Sequence, residues 1–256
     1  MDKSSSDTIP IYKPLGLTPA QAIDIFRKEN PKYKNQAISH AGKLDPLAEG
    51  LLLLVTGKLT TPKNLKRYLN LSKEYKAKIL FGFSTDSYDI QGIPVKGEKM
   101  KIDQTTLLQE IEKLKGEHLQ STPPFSGRKV NGKPLYYYAR KNKLNEITIP
   151  KQKIIIKKIE ASNFSTIGNK QLLEEIIKKI NLLEGDFRQE EILTKWKELL
   201  KENQEFYTID ILVQCSSGTY IRSIANDLGE KFNKGILLGL VRNKIGEFSI
   251  SHSMKI

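Results

Sequence analysis

The chain has 256 residues, of which 38% are hydrophobic and 28% are charged, the composition of an ordinary globular protein large enough for one domain. No apolar run approaches the roughly 18 residues that a membrane span needs, and the polar start lacks a signal core. The single cysteine, Cys215, excludes a disulfide framework, and three scattered histidines offer no zinc-site spacing. These features predict a cytoplasmic protein without a membrane anchor.

The formal net charge of +13 is the second global feature. An excess of this size favours a polyanionic partner, most often a nucleic acid. The alternative is a lysine-rich composition bias of the organism. Charge alone does not decide between the two.

Two helices are predicted in the first third of the chain. The first begins after Thr18, because Thr18 and Gln21 have capping-box spacing and a proline occupies the first helical position. The apolar residues up to Phe26 lie on one helical face, so this helix should end near Glu29. A second, basic helix is predicted over residues 63–71.

An irregular stretch, residues 39–50, lies between these helices and precedes an apolar run from Leu51 to Val55. Two glycines allow unusual backbone angles, and Pro46 keeps Asp45 out of the helical region. The run shows no alternation, which predicts a strand buried on both faces. Most Asp-Pro pairs are ordinary turns, so this stretch alone favours a turn.

Alternating apolar residues predict strands over residues 75–83, 151–161 and 207–215. Asp103 is placed to cap a helix that runs through Leu114. Another helix should contain Leu228, and short apolar segments close the chain.

Residues 121–143 combine basic side chains with three consecutive tyrosines at 136–138. An RNA-contacting surface needs both, positive charge for phosphates and rings for unstacked bases. A solvated helix end whose tyrosines belong to the core is the alternative. The sequence leaves both open.

Residues 168–205 predict a helical hairpin whose two helices each carry one apolar face. Gly185 is expected to end the first helix, and Asp186 with Gln189 has capping-box spacing for the second. The stretch holds seven basic and nine acidic residues, a net charge of −2. We therefore expect it to pack on itself or on the core and not to contact nucleic acid.

Six motifs, in order along the chain, resemble those of the TruB-type pseudouridine synthases. They are YKPLG at 12–16, SHAGKLDPLAEG at 39–50, KEY at 73–75, TDSYDIQG at 85–92, KVNGK at 129–133 with YAR at 138–140, and GTYIR at 218–222. The resemblance covers residues 10–163 and 206–250. Six ordered matches are far more specific than one, and they outweigh the turn interpretation of Asp45.

The resemblance implies an α+β pseudouridine synthase fold, in which helices flank a mixed, mostly antiparallel sheet with the catalytic cleft across it. It implies that uridine in the T-loop of tRNA, at position 55, is isomerised to pseudouridine by base flipping without a metal or cofactor. Residues 10–253 are expected to form the catalytic domain, with an RNA-clasping segment at 121–150 and the inserted hairpin at 164–205. A disordered tail is expected at 1–9.

The resemblance also assigns residues to roles. Asp45 corresponds to the family's nucleophile, Arg222 to the arginine that pairs with it, and Tyr75 to the active-site tyrosine that lies against the base. Substrate-binding positions are assigned to His40, Tyr220 and Leu240, and to the cations Lys43, Arg128, Lys129, Lys133 and Arg140.

Some positions depart from the family pattern. Lys43 stands where a small residue or threonine is usual, Glu49 replaces a threonine, and Phe125 and Gly127 replace a tyrosine and an alanine. The chain leaves little room after the catalytic core for the C-terminal RNA-binding domain of many relatives.

We expect a monomer that acts on the T-arm of tRNA without an obligate protein partner. A non-catalytic tRNA-binding or RNA-folding protein of the same fold is one alternative. A guide-RNA-dependent pseudouridine synthase is another.

Overall fold

The computed structural model describes residues 6–256, so most of the predicted tail at 1–9 lies outside the described residues. Its last two residues do not belong to a tail, because Thr8 and Ile9 pair with Val55 and Leu54 in the main sheet. Among residues 6–256, no helix is long and apolar enough to cross a membrane.

The described residues form strands and helices in mixed order. The strands are β1 (Thr8–Lys13), β2 (Ile38–His40), β3 (Ala48–Thr56), β4 (Lys73–Phe81), β5 (Phe83–Thr85), β6 (Pro94–Lys96), β7 (Gly116–Ser121), β8 (Lys129–Val130), β9 (Lys133–Pro134), β10 (Lys151–Gly168), β11 (Glu205–Cys215), β12 (Gly235–Ile245), β13 (Phe248–Ser249) and β14 (Met254–Lys255). The helices are α1 (Pro19–Glu29), α2 (Pro62–Leu69), α3 (Gln104–Glu112), α4 (Leu135–Arg140), α5 (Asn169–Ile180), α6 (Gln189–Leu199) and α7 (Ile221–Lys231).

One large sheet runs in the order β14-β1-β3-β12-β4-β11-β10-β7, with β2 beside β3 and β13 beside β12. The β1–β14 and β3–β12 pairs are parallel, and all its other pairs between described residues are antiparallel. The predicted mixed, mostly antiparallel sheet is therefore confirmed. The pairing of β12 with both β3 and β4 brings residues 48–50, Tyr75 and Arg242 together, although they are far apart in sequence.

Helices cover both faces of this sheet, because successive residues of a strand point to opposite sides. Ile79 of β4 packs in a core cluster with apolar residues of α3 and α7. Its neighbour Leu80 packs on the other face with Ile176 of α5 and Trp196 of α6. The inserted hairpin thus packs on the sheet as well as on itself.

Several local predictions hold. Thr18 caps α1 in a capping box with Gln21, and β3 is buried along its whole length except at Glu49. Asp103 caps α3, although the helix ends at Glu112. The strand predicted over 75–83 is divided at Gly82, whose φ of 93° breaks the extended conformation.

The hairpin differs from its prediction in three ways. β10 runs to Gly168, so the insertion begins later than residue 164, and α5 ends at Ile180 instead of near Gly185. Asp186 is not the N-cap of α6, which begins after Arg188. The Gln189 side chain instead donates to the carbonyl oxygens of Leu183 and Gly185, so it stabilises the turn and not a capping box.

Candidate active site

Residues 41–47 form the loop between β2 and β3, and Arg242 of β12 holds it. Arg242 is buried and donates from Nε to the carbonyl of Leu51 at 2.7 Å, and from Nη1 and Nη2 to those of Lys43 and Gly42 at 3.0 and 3.2 Å. Gly50 has a φ of 106° and no room for a side chain, because a Cβ would meet the backbone of Arg242. The loop is therefore fixed by contacts 200 residues away in sequence.

Asp45 extends from this loop towards Arg222 in the first turn of α7. The Asp45 Oδ2 atom lies 2.8 Å from Nε of Arg222, whose side chain is 5% exposed while that of Asp45 is 42% exposed. Arg222 also donates to the carbonyls of Ser87 at 2.8 Å and Phe125 at 3.1 Å. The carboxylate is thus held by a fixed cation yet open to the cleft.

A second carboxylate, Asp89, lies behind this pair, with Oδ2 at 3.7 Å from Nε of Arg222. Burial raises the pKa of Asp89 to about 6, against the opposing effect of Arg222. Burial by itself would lower the pKa of Arg222, but Asp45 and Asp89 together raise it above its ordinary value. Arg222 is therefore a permanent cation between two acidic groups.

A cavity of about 460 Å³ opens on one side of Asp45. Its walls include five predicted site residues besides Asp45 and Arg222, namely Lys43, Tyr75, Arg128, Tyr220 and Leu240. Burial raises the pKa of Tyr75, with Arg242 opposing, so its hydroxyl is protonated at neutral pH. A neutral phenol can pack on a base and donate a hydrogen bond, but it is not a ready general base.

A second cavity, also of about 460 Å³, lies on the other side of the Asp45–Arg222 pair. The clasping segment contributes Phe125, Tyr136 and Arg140, and the hairpin turn contributes residues 184–188. The hairpin therefore reaches the candidate site, which its sequence did not indicate. A larger cavity of about 600 Å³ near Phe206 contains none of the predicted site residues.

His40 occupies a different place from the other predicted site residues. It ends β2 and lines neither cavity beside Asp45. Burial, and then the charges of Arg242 and Lys43, lower its pKa, so the ring is neutral at pH 7. The structure places it in β2, opposite Leu54 of β3.

Lys43 points from the loop towards the clasping segment. Its Nζ atom lies so close to Gly127 that a Cβ at position 127 would collide with it. Its side chain is exposed and lines the same cavity as Tyr75. Two of the departures from the family pattern, Lys43 and Gly127, are therefore neighbours in space.

The predicted clasping cations are not all in the cleft. Arg128 lines the cavity and donates to Gln152 at 2.7 Å, whereas Lys129 and Lys133 lie on the exposed β8–β9 ribbon. Lys133 lies over the Tyr137 ring at 4.5 Å. Of the three tyrosines only Tyr138 is buried, as the core interpretation expects, whereas the Tyr136 ring is exposed.

Four residues that hold the site were not singled out from the sequence. Asp89 and Ser87 received no role, although both lie in the TDSYDIQG motif. Arg242 and Arg188 carry no local pattern that marks them. Only the sheet order and the hairpin packing reveal their partners.

Comparison with solved structures supports the fold. The chain matches one from a Cbf5-Nop10-Gar1 complex with a TM-score of 0.59 at 17% identity, covering 97% of this chain and 52% of that chain. A chain from an H/ACA RNP bound to a substrate RNA containing 2′-deoxyuridine matches with a TM-score of 0.55 at 16% identity. The chain spans about half the length of those chains.

Sequence comparison shows the family. Residues 30–180 match the model of the TruB family pseudouridylate synthase N-terminal domain. Proteins called tRNA pseudouridine synthase B are similar over nearly the whole chain. The protein of Malacoplasma penetrans is 33% identical over 95% of this chain and 86% of its own length. The protein of Bacteroides fragilis is 30% identical over 99% of this chain and 92% of its own length.

The family model and these relatives define the class of protein, an enzyme that converts uridine to pseudouridine. The chain belongs to the TruB family of pseudouridine synthases.

Proposed function

We propose that the protein isomerises uridine to pseudouridine in tRNA, with Asp45 as the nucleophile. The observation that carries the proposal is the Asp45–Arg222 pair, 2.8 Å apart, with a buried cation and an accessible carboxylate. A carboxylate serves as a nucleophile when it is ionised and fixed in place. Arg222 places a cation beside the carboxylate, and the loop held by Arg242 fixes its position.

The reaction breaks the bond from C1′ to N1, and the base then rejoins C1′ through C5. The C5 hydrogen leaves as a proton, and N1 gains one, so the product is an isomer of the substrate. Asp45 supplies the nucleophilic oxygen. Arg222 compensates the negative charge of the Asp45 carboxylate while that carboxylate is not bonded to the substrate. Tyr75 and Leu240 form the wall of the cavity in which the base turns.

The base must leave its stack before Asp45 can reach it, at a cost of a few kcal/mol. Contacts to the phosphates offset this cost. The whole chain has a net charge of +13 and residues 168–205 have −2, so the rest of the chain carries +15 for such contacts. The clasping segment adds Tyr136, which is 46% exposed, as a stacking surface. We infer that the segment binds the T-arm and that the target is the T-loop uridine at position 55.

The substrate binds as tRNA alone, to a monomer in the cytoplasm. A cytoplasmic location fits the chemistry of the lone cysteine, Cys215, which is buried. The similar proteins called tRNA pseudouridine synthase B support tRNA as the substrate.

The test is a tRNA transcript that carries uridine tritiated at C5, incubated with the purified protein. Release of tritium, and a pseudouridine mapped to position 55, are expected for the wild type and not for Asp45→Asn. The variant should bind the transcript with nearly unchanged affinity. A wild type that binds tRNA but releases no tritium indicates a non-catalytic binding protein, and activity only with an added guide RNA indicates a guided enzyme.

A further inference from the structure

Arg188 lies in the turn between α5 and α6 and contacts two segments at the edge of the candidate site. Its guanidinium forms two contacts with the Asp86 carboxylate, Nη1 to Oδ2 at 2.7 Å and Nη2 to Oδ1 at 3.3 Å. Its Cζ atom lies 4.7 Å from the centre of the Phe125 ring. One side chain thus binds a loop of the catalytic core and the clasping segment at the same time.

Arg222 contacts the same two segments from the inside. It donates to the carbonyl of Ser87, the residue after Asp86, and to the carbonyl of Phe125. Arg188 therefore fixes two side chains, and Arg222 is oriented by two carbonyls of the same short segments. Movement of either segment would change the direction in which Arg222 presents Nε to Asp45.

The backbone at Arg188 is in a strained conformation that its surroundings impose. Its φ of 63° is left-handed, which is unfavourable for a non-glycine residue and persists where surrounding contacts hold it. The Asp86 carboxylate also accepts from the Ile93 backbone N–H at 2.9 Å. On the other side, Arg140 donates to the carbonyl of Asp186 at 2.7 Å. Leu182 packs so closely on Gly16 that no side chain fits there.

We propose that Arg188 is a positioning residue for the isomerisation. It holds Phe125 and the Asp86–Ser87 segment, and through their carbonyls it sets the guanidinium of Arg222 against Asp45. This inference rests on the proposed function, since it concerns the rate of that reaction. The hairpin is therefore part of the active site and not only a cover for the sheet.

A lysine cannot replace this arginine. The planar guanidinium binds a carboxylate through two nitrogens and stacks on a ring at once, whereas an ammonium group is a point charge on a flexible stem. Arg188→Lys thus keeps the charge near the cleft but loses the geometry. The comparison between alanine and lysine separates positioning from simple attraction of RNA.

The experiment measures single-turnover tritium release from the tRNA transcript at increasing enzyme concentration for Arg188→Ala and Arg188→Lys. At saturating enzyme we expect both variants to lose about 10- to 100-fold in rate, the effect of a small misplacement of a reacting group. The concentration that gives half the maximal rate should change less than about threefold. Lys195→Ala, an exposed residue of α6 that pairs with Glu198, is the matched control and should behave as the wild type.

Two results would overturn the inference while leaving the proposed function intact. One is a wild-type maximal rate in Arg188→Ala. The other is a loss confined to the half-saturating concentration, because it would make Arg188 an RNA contact. If thermal unfolding shows that the alanine variant does not fold, Asp86→Asn replaces it, since asparagine still accepts from Ile93. A folded Asp86→Asn variant with wild-type rate would also refute the inference.

If the proposed function itself is wrong, the wild type forms no pseudouridine, and this outcome differs from both results above.

Discussion

The cleft has two walls of different construction. The inner wall consists of residues 41–47 with Arg222 and Arg242, and the outer wall consists of the hairpin turn 181–188 with residues 125–140. In the inner wall, two buried guanidinium groups bond to backbone carbonyls and to Asp45 and Asp89. In the outer wall, Arg188–Asp86 and Arg140–Asp186 are pairs near the surface.

This difference separates what each wall contributes. A buried acceptor that loses its donor costs about 1–3 kcal/mol, whereas an exposed ion pair contributes at most about 1 kcal/mol. The stability of the fold should therefore depend on the inner wall, and the protein should be active only when this wall is intact. The outer wall should affect the rate but hardly the stability.

The strongest test of the inner wall is Arg222→Lys. Lysine keeps the positive charge but cannot reach Asp45, Asp89 and two carbonyls together. A small misplacement of a reacting group costs on the order of 10²-fold in rate, so the single-turnover rate should fall by about 10²-fold or more. Arg27→Lys in α1, far from the cleft, is the control for the exchange itself. A loss below tenfold would show that charge alone is sufficient at this position.

The next largest effect concerns stability. Arg242→Met leaves three carbonyl oxygens without their donor, and the free energy of unfolding should fall by about 3 kcal/mol or more. Arg188→Met, in the outer wall, should lose less than about 1 kcal/mol. Urea unfolding of both variants measures the difference. Equal losses would contradict the division into two walls.

The stability of the inner wall should also depend on pH, through Asp89. The pKa of Asp89 is about 6 in the fold, compared with 3.8 as its ordinary value. Between these values the folded state binds more protons than the unfolded state, so Asp89 makes unfolding easier as the pH rises from 4 to 6. Asp89→Asn removes this effect and should gain about 2–3 kcal/mol on the wild type across that range. Urea unfolding at several pH values measures the gain. If the difference in the free energy of unfolding between the variant and the wild type does not change with pH, Asp89 is charged in the folded state as well as in the unfolded state.

Much of the inner wall could be predicted from the sequence. The local signals for α1, β3 and α7 depend on spacing within a few residues, and the ordered motifs pointed to Asp45 and Arg222 as partners. Asp89 was missed because its role comes from a buried arginine 133 positions later, which no local pattern encodes. Arg242 was missed for the same reason, since its acceptors are carbonyls present in every residue.

The outer wall could hardly be predicted. The amphipathic faces of residues 168–205 indicated a hairpin but not the face of the sheet on which it packs. Its net negative charge suggested a place away from RNA, yet its one arginine, Arg188, reaches the cleft. The direction of a turn depends on tertiary contacts such as Leu182 against Gly16. Such contacts are invisible in a single sequence.

The smallest expected effect lies where the two walls meet, at Lys43 and Gly127. A methyl group at position 127 would displace only the flexible end of Lys43, so Gly127→Ala should change stability by less than about 0.5 kcal/mol and the single-turnover rate by less than about threefold. In a Lys43→Ala background the same change should have no effect, because nothing is left to displace. Gly168→Ala, where a Cβ meets open space and φ is −72°, is the matched control. Additive effects of Lys43→Ala and Gly127→Ala would show that Lys43 does not rest on the clasping segment, and the walls would then be independent at this point.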